Sequence, residues 1–392
     1  MLDPDYLLIV ADDVMSEGGK LEDELLKLII IYLAMMLSED PLQAGWPALD
    51  QKLQGFTLQA GQIINKIKPN IIQTASETYT QAMERSKKAD NSTYEQGIQE
   101  DGQSHITPSA PNVAGRIPRH PTDSQEVMRL ERGGRDKIIS QIDKTCSDAL
   151  TSIGAYYQSA VDRAIAASRS GLVSYSDAIK QAIIDVAGYG AKIRYPSGRT
   201  DDIDVAIARA VRTGISQACA RVTDQKMDEI GWDIVLVSAH LGARVGDGGD
   251  NFTNHYWWQG KFYSRSGNDS RFPPFAVCGM GEIQGLHGVN CRHSHGPGDG
   301  IHNPYEQYDS AENRRAYEQQ QAQRAQERKI RRIAREAAAL KAARDATGDD
   351  GQIVARHKQI KKRLAGLRKA YKTFCEDNGL KPQYDRIKAI YN

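Results

Sequence analysis

The sequence has few of the features that mark several classes of protein. Its 392 residues include only 5 Cys, an odd and scattered number, and only 7% are aromatic. A disulfide framework needs paired cysteines, so a disulfide-stapled secreted domain is not expected and a reducing compartment is. With 40% hydrophobic and 26% charged residues, the composition is that of a globular chain rather than a fibrous or disordered one. The length predicts about two to three domains.

Long hydrophobic runs are also lacking. The run Leu25–Leu37 is too short to cross a bilayer and is interrupted by Lys27. Acidic residues precede it, which is the wrong flank for a secretory signal. We therefore expect a buried helix here, no membrane span, and synthesis in the cytoplasm.

A net charge of only +1 conceals an uneven distribution of charge. Residues 305–392 contain 21 Lys and Arg against 12 Asp and Glu, whereas the rest of the chain is mildly acidic. Seven basic residues lie on the last predicted helix: Lys358, Lys361, Lys362, Arg363, Arg368, Lys369 and Lys372. They predict either a surface that neutralises DNA phosphates or a solvated helix face opposite a docked apolar stripe.

The first half of the chain has helical periodicity. A helix is predicted over Lys20–Leu37, and isoleucines at helical spacing predict another that Pro69 should kink or divide. The polar segment 90–121 is rich in Gly and Pro and is predicted to be a long loop or linker.

Helices are predicted to resume at about Ser124. Gly188 is the expected C-cap of one of them, and Thr200 is the expected N-cap of a long one. Near the C-terminus, Glu306–Ala346 predicts a polar helix and Ile353–Phe374 an amphipathic one.

A small module with different character follows Trp232. Asp233–Ser238 and Trp257–Ser264 are candidate strands, with one of Trp257 and Trp258 in the core, and glycines are frequent between and after them. The predicted fold class is therefore α+β: a mainly helical N-terminal body, a small Gly-rich β module and a basic helical C-terminal tail. The predicted domain boundaries are 1–123, 124–231, 232–304 and 305–392.

This module concentrates the residues that bind metals. The candidate ligands are His240, His255, His287, Cys291 and His293. Cys291 and His293 are two residues apart, so a strand would direct both to one face, and Gly288 could turn His287 back toward them. His240 or His255 could complete a tetrahedron around a structural zinc ion.

Two other interpretations of the same residues remain open. The histidines can make ordinary hydrogen bonds while the cysteines fill the core, with no metal bound. Alternatively, a catalytic metal could make the module a metal-dependent, nuclease-like DNA-processing enzyme. The module contains a single Glu, Glu282, and the chain has no GxSxG, HExxH or Walker motif, so nothing in the spacing selects an enzyme.

Several short segments resemble the phage minor capsid protein 2 family, which is related to the minor head proteins typified by the F protein of phage Mu. They are SAHLGAR at 238–244, WQGKF at 258–262, YSRSG at 263–267, GLHGVNCRH at 285–293, YPSGR at 195–199, VRT at 211–213, and the Leu/Trp-rich region near Trp46. The resemblance covers roughly residues 20–300 and leaves out the basic tail. Matching residues are His240, Gly242, Arg244, Trp258, Gly260, Asn290, Cys291, Arg292 and His293.

This chain departs from the family pattern in two places. A Gly/Asp-rich loop is inserted between Arg244 and Trp258, and His287 stands where the family often has Cys. Exchange of one zinc ligand for another is compatible with a metal site.

The resemblance implies a non-enzymatic virion protein of the phage head. It would be a minor capsid protein in low copy, oligomeric in the particle and located near the portal. Its implied partners are the portal protein, the major capsid protein and packaged double-stranded DNA.

Overall fold

The computed structural model describes residues 1–38, 41–99, 123–171, 173–305, 307–348 and 350–387. The fold is α+β and mainly helical, as expected. The helices in chain order are α1 (Pro4–Ile9), α2 (Asp12–Met35), α3 (Pro41–Gln99), α4 (Gln125–Arg169), α5 (Tyr175–Tyr189), α6 (Ile203–Ile230), α7 (His255–Trp258), α8 (Ser310–Thr347), α9 (Gly351–Asp377) and α10 (Tyr384–Ile387). The strands are β1 (Lys192–Arg194), β2 (Thr200–Asp202), β3 (Ile234–Val237), β4 (Phe262–Ser264) and β5 (His295–Pro297). Among the described residues, no helix is both long enough and apolar enough to cross a bilayer.

The helix boundaries follow local signals in the sequence. Pro41 begins α3, where the missing N–H costs nothing. The Oγ of Ser174 accepts from Asp177 N at 3.0 Å and caps α5, and Asp350 caps α9 in the same way. The C-cap of α5 is Gly190, at φ 85°, rather than the predicted Gly188, because the left-handed residue comes two positions later.

Further details of the helical part differ from the predictions. The first long helix begins at Asp12 rather than Lys20, and Pro69 does not divide α3, which continues through it. Thr200 does not cap α6, because residues 200–202 form β2, which pairs with β1 across a tight turn. The hydrogen bonds between β1 and β2 pair the backbone N–H and C=O groups that would otherwise bond within a helical turn.

The predicted linker at 90–121 is helical at its start. Helix α3 extends to Gln99, and Tyr94 is buried with its ring 5.3 Å from that of Trp232 in an edge-to-face contact. Thr223 Oγ1 donates to a carboxylate oxygen of the buried Asp90 at 2.6 Å. Residues 100–122 of the predicted linker lie outside the described residues.

The Gly-rich module contains an antiparallel sheet with strand order β4-β3-β5. Leu236 pairs with Phe262 on one side and with Gly296 on the other. The segment predicted as a second strand forms α7 first, because Asn254 caps that turn, and becomes β4 only at Phe262. Trp258 is fully buried in the core beneath the sheet, as predicted for one of the two tryptophans, and Trp257 is partly buried.

The chain folds as two compact units, each assembled from three separate stretches of sequence. The first comprises residues 1–13, 73–141 and 208–320, and the second comprises 14–72, 142–207 and 321–392. The core under the sheet belongs to the first unit. In the second unit, Tyr371 and Cys375 of α9 pack with Ile330 and Ile387. The four-domain division made from the sequence remains a prediction.

Candidate metal centre

Three of the five predicted metal ligands meet at one point in the Gly-rich module. His255 comes from the first turn of α7, and Cys291 and His293 come from the segment before β5; their ligand atoms all lie within 4.8 Å of one another. Cys291 Sγ is 3.8 Å from His255 Nδ1 and 3.7 Å from His293 Nδ1. Zinc–sulfur and zinc–nitrogen bonds of about 2.3 and 2.0–2.1 Å at tetrahedral angles separate the two atoms by roughly 3.5 Å. The observed separations are therefore close to those of a tetrahedral zinc site.

Local backbone geometry brings these side chains together. Cys291 and His293 do not lie on a strand, as predicted, because β5 begins only at His295. Instead, His287 and Asn290 both adopt left-handed conformations with φ 59°, and the resulting turns fold the segment back on itself. The ring of Trp258 packs against both imidazoles, with its centroid 4.6 Å from that of His255 and 4.8 Å from that of His293.

The three candidate ligands are almost completely buried. His255, Cys291 and His293 are 2%, 3% and 1% exposed, respectively. Burial lowers the pKa of His255 to about 4 and holds the pKa of His293 well below its usual value. Burial also raises the pKa of Cys291 to about 11. Both imidazoles are therefore neutral at physiological pH, which is the state that binds a metal, and a bound cation would favour loss of the thiol proton.

The outer nitrogen of each imidazole has a hydrogen-bond partner. His255 Nε2 lies 2.7 Å from the backbone oxygen of Gln284. Because a carbonyl oxygen only accepts, the proton of His255 is on Nε2 and the lone pair on Nδ1 faces Cys291. His293 Nε2 lies 3.0 Å from Gln259 Oε1. Hydrogen bonds of this kind orient histidine ligands at metal sites.

The other two predicted ligands lie beside this group. The ring of His240 stacks on that of His293 with centroids 4.5 Å apart, and its Nδ1 is 2.7 Å from a guanidinium nitrogen of Arg292. His287 faces away, with Nδ1 2.7 Å from Ser216 Oγ and Nε2 2.9 Å from His295 Nδ1. Within the part of the chain that the structure describes, the group able to hold a metal consists of His255, Cys291 and His293.

His287 belongs to a hydrogen-bonded chain that sequence reasoning missed. The hydrogen bonds run from Ser216 through His287 and His295 to Asp224, whose Oδ1 is 3.3 Å from His295 Nε2. The order Ser–His–His–Asp resembles the arrangement that activates a nucleophilic serine. Ser216 is only 3% exposed, however, and cannot reach a substrate. These hydrogen bonds fasten His287, in a turn, and His295, at the start of β5, to α6. The sequence signal that could have revealed them is the spacing of Ser216 and Asp224, which lie eight residues apart on one helix face.

The predicted nucleic-acid-binding residues are all exposed on α9. They are Lys358, Lys361, Lys362, Arg363, Arg368, Lys369 and Lys372. Ile353, Ile360 and Tyr371 of the same helix are buried, so the basic side chains lie away from its apolar stripe. Lys372 is 3.6 Å from Glu376, in an exposed pair that neutralises little of the surface.

Comparison with known protein families finds a match over nearly the whole chain. The model of the family described as phage minor capsid protein 2 matches residues 2–374. The match extends beyond the 20–300 range inferred from short motifs and includes α8 and most of α9, so the basic tail was wrongly placed outside it. No curated protein and no solved structure matches the chain.

Proposed function

The chain belongs to the phage minor capsid protein 2 family and is a structural component of the phage head, and we propose that it occupies the head in low copy as an oligomer near the portal. The observation that carries this proposal is the family match over residues 2–374, which leaves little of the chain for an unrelated activity. The proposed neighbours are the portal protein and the major capsid protein.

Counting the chain in purified particles tests this placement. Quantitative mass spectrometry of DNA-filled heads should detect far fewer copies than of the major capsid protein, in constant ratio to the portal protein. Absence from washed heads, or a copy number equal to that of the major capsid protein, would contradict the proposal.

The proposed role of the candidate metal centre is to rigidify the Gly-rich module with a structural zinc ion. The support is the chemistry of the donors, a thiol and two neutral imidazole nitrogens held at distances close to those of a tetrahedral site. A small module with few aliphatic residues gains stability from such a crosslink. Metal analysis of the purified full chain should give about one zinc per chain, and a chain purified with no bound metal that also fails to take up added Zn²⁺ would contradict the assignment.

The proposed role of α9 is to contact packaged double-stranded DNA. Seven exposed basic side chains on one helix support this, because cationic surfaces bind the phosphate backbone by releasing counterions. The affinity of the full chain for a DNA duplex should fall steeply with salt. Charge reversal at Lys362 and Arg363 should flatten that dependence, and the slope should change by about one for each phosphate that is no longer neutralised.

A matched control for the DNA experiment is charge reversal at Arg314 and Arg315, which are exposed on α8. This variant should retain the salt dependence of the wild type. A salt-independent affinity, or equal losses of affinity in both variants, would refute the assignment of α9.

The alternative, a metal-dependent nuclease built on the module, is opposed by the burial of the site. Three protein ligands leave a fourth coordination position open, but a catalytic metal needs that position to be within reach of the substrate. The three candidate ligands are at most 3% exposed, so a phosphodiester would have no access to an ion held there.

A further inference from the structure

Gln259 lies directly behind one imidazole of the candidate metal centre. It follows α7 as the C-cap residue and is 4% exposed. Its Oε1 accepts a hydrogen bond from the backbone N–H of His240 at 3.0 Å and lies 3.0 Å from His293 Nε2. Its backbone N–H donates to the carbonyl of His255 at 3.0 Å. One buried residue is thus fixed through both its side chain and its backbone against the residues that carry the candidate ligands.

These contacts determine where His293 carries its proton. A backbone N–H can only donate, so the Gln259 atom that faces His240 N must be the amide oxygen and not the amide nitrogen. The same oxygen can only accept from His293, so His293 Nε2 must carry a proton. A neutral imidazole carries one ring proton, which leaves the lone pair on Nδ1, the atom 3.7 Å from Cys291 Sγ.

The carbonyl of Gln284 has the same effect on His255. It accepts at 2.7 Å from Nε2 and leaves the lone pair of Nδ1 facing Cys291 Sγ. Both imidazoles therefore present Nδ1 lone pairs to a single sulfur. The one thiol proton also has the His293 carbonyl oxygen as an acceptor, 3.8 Å from Sγ, so it can be donated to at most one of the two imidazoles and at least one Nδ1 lacks a donor within the cluster. A cation at this point would bind both lone pairs and the sulfur.

We propose that Gln259 is the positioning residue of the metal centre: by accepting the Nε2 proton of His293, it holds that imidazole in the tautomer and orientation that bind zinc through Nδ1. This inference rests on the zinc role proposed above. It adds a specific determinant of affinity that lies outside the ligands themselves, and it assigns a function to the buried amide.

The affinity of the full chain for Zn²⁺, measured by competition with a chromophoric chelator, tests the proposal. Gln259→Leu removes the acceptor and should weaken binding roughly 10- to 100-fold. Gln259→Glu keeps an acceptor oxygen and should stay within a few-fold of the wild type. Gln323→Leu is the matched control, because Gln323 is also buried but bonds Lys381 O and Tyr371 in the second unit; its zinc affinity should equal that of the wild type.

Two results would overturn the role of Gln259. One is an unchanged affinity in Gln259→Leu; the other is an equal loss in Gln259→Leu and Gln259→Glu, which would indicate a packing role. If the wild type binds no zinc, the zinc assignment fails and the inference fails with it. If the wild type binds zinc and Cys291→Ser abolishes binding while Gln259→Leu does not weaken it, only the inference fails.

A measurement on the unmodified chain removes the dependence on variant folding. Nitrogen-15 spectra of the histidine-labelled, metal-free protein distinguish protonated from unprotonated ring nitrogens. The proton of His293 is expected on Nε2, and a spectrum that places it on Nδ1 would overturn the proposal.

Discussion

Replacing Asp23 by Asn should remove a specific part of the pH dependence of folding stability. Asp23 on α2 lies in a buried cluster of the second unit, in which the Arg335 guanidinium faces four carboxylates: Glu22, Asp23, Asp202 and Asp204. Arg335 Nη1 is 3.0 Å from Glu22 Oε1, whereas Asp23 Oδ1 is 3.6 Å from Nε and has no hydrogen-bond partner. Arg335 and Lys192, whose Nζ is 3.0 Å from Asp202, supply two positive charges against four negative ones, so protonation of carboxyls stabilises the cluster.

The direction and size of the effect follow from the pKa of Asp23. Burial raises the pKa of Asp23 from 3.8 to about 7; Arg335 opposes this rise and Asp204 adds to it. Burial likewise raises the pKa of Glu22. As pH rises from about 4 to about 7, the unfolded chain has lost the Asp23 proton that the folded chain still retains, so stability falls over this interval. The total is roughly 4 kcal/mol, of which roughly 2–3 kcal/mol falls between pH 5 and pH 8.

Urea unfolding of the full chain at pH 5 and pH 8 tests this reasoning. Asn cannot ionise, so the free energy of unfolding of Asp23→Asn relative to the wild type should rise by roughly 2–3 kcal/mol from pH 5 to pH 8. Asp162→Asn, at an exposed position on α4, is the control and should follow the wild type. Parallel pH profiles for wild type and Asp23→Asn would refute the assignment of the titration to this cluster.

Three other experiments probe the buried cluster, the metal centre and the enzyme alternative. Arg335→Met leaves Glu22, Asp23 and Asp204 without the guanidinium that they share, while Asp202 keeps Lys192, and should cost about 3–5 kcal/mol in urea unfolding at pH 8; an unchanged midpoint would contradict the packing described. Chelation of zinc should lower the melting temperature of the wild type, whereas Cys291→Ser should show no further decrease on chelation; equal decreases in both would place the metal elsewhere. Supercoiled DNA incubated with the chain and Mg²⁺, Mn²⁺ or Zn²⁺ should remain uncut, and nicking that His293→Ala eliminates would establish the enzyme alternative.

The sequence predicted the presence of α9 and β3 because their signals are local. Ile353, Ile360 and Tyr371 of the predicted apolar stripe of α9 are buried, and so are all four residues of β3. Where long-range contacts determine the secondary structure, local sequence signals did not predict it. Residues 90–99 are polar and were assigned to a linker, yet Tyr94 packs on Trp232 and the helix persists. Thr200 is a residue type that often caps helices, but pairing with Arg194 makes it part of a strand.

The same limit applies to the candidate site. The spacing of Cys291 and His293 identified two residues that meet, although they lie in an irregular segment between the turns and β5 rather than on a strand. His287 has the right residue type, but its ring points to Ser216 and His295, a direction that no spacing rule contains. No sequence pattern indicated Gln259, because an amide that orients a metal ligand is recognised only from its hydrogen bonds in the folded structure.

The position that we propose for this structural protein is the portal vertex of the phage head. An asymmetric reconstruction of the intact particle is the decisive experiment. We expect density for the three-stranded sheet and the adjoining α6 at the portal vertex, repeated a small number of times and in contact with portal or capsid protein. Density for a portal vertex that is complete without this chain, with the chain recovered only outside the head, would refute the proposed position.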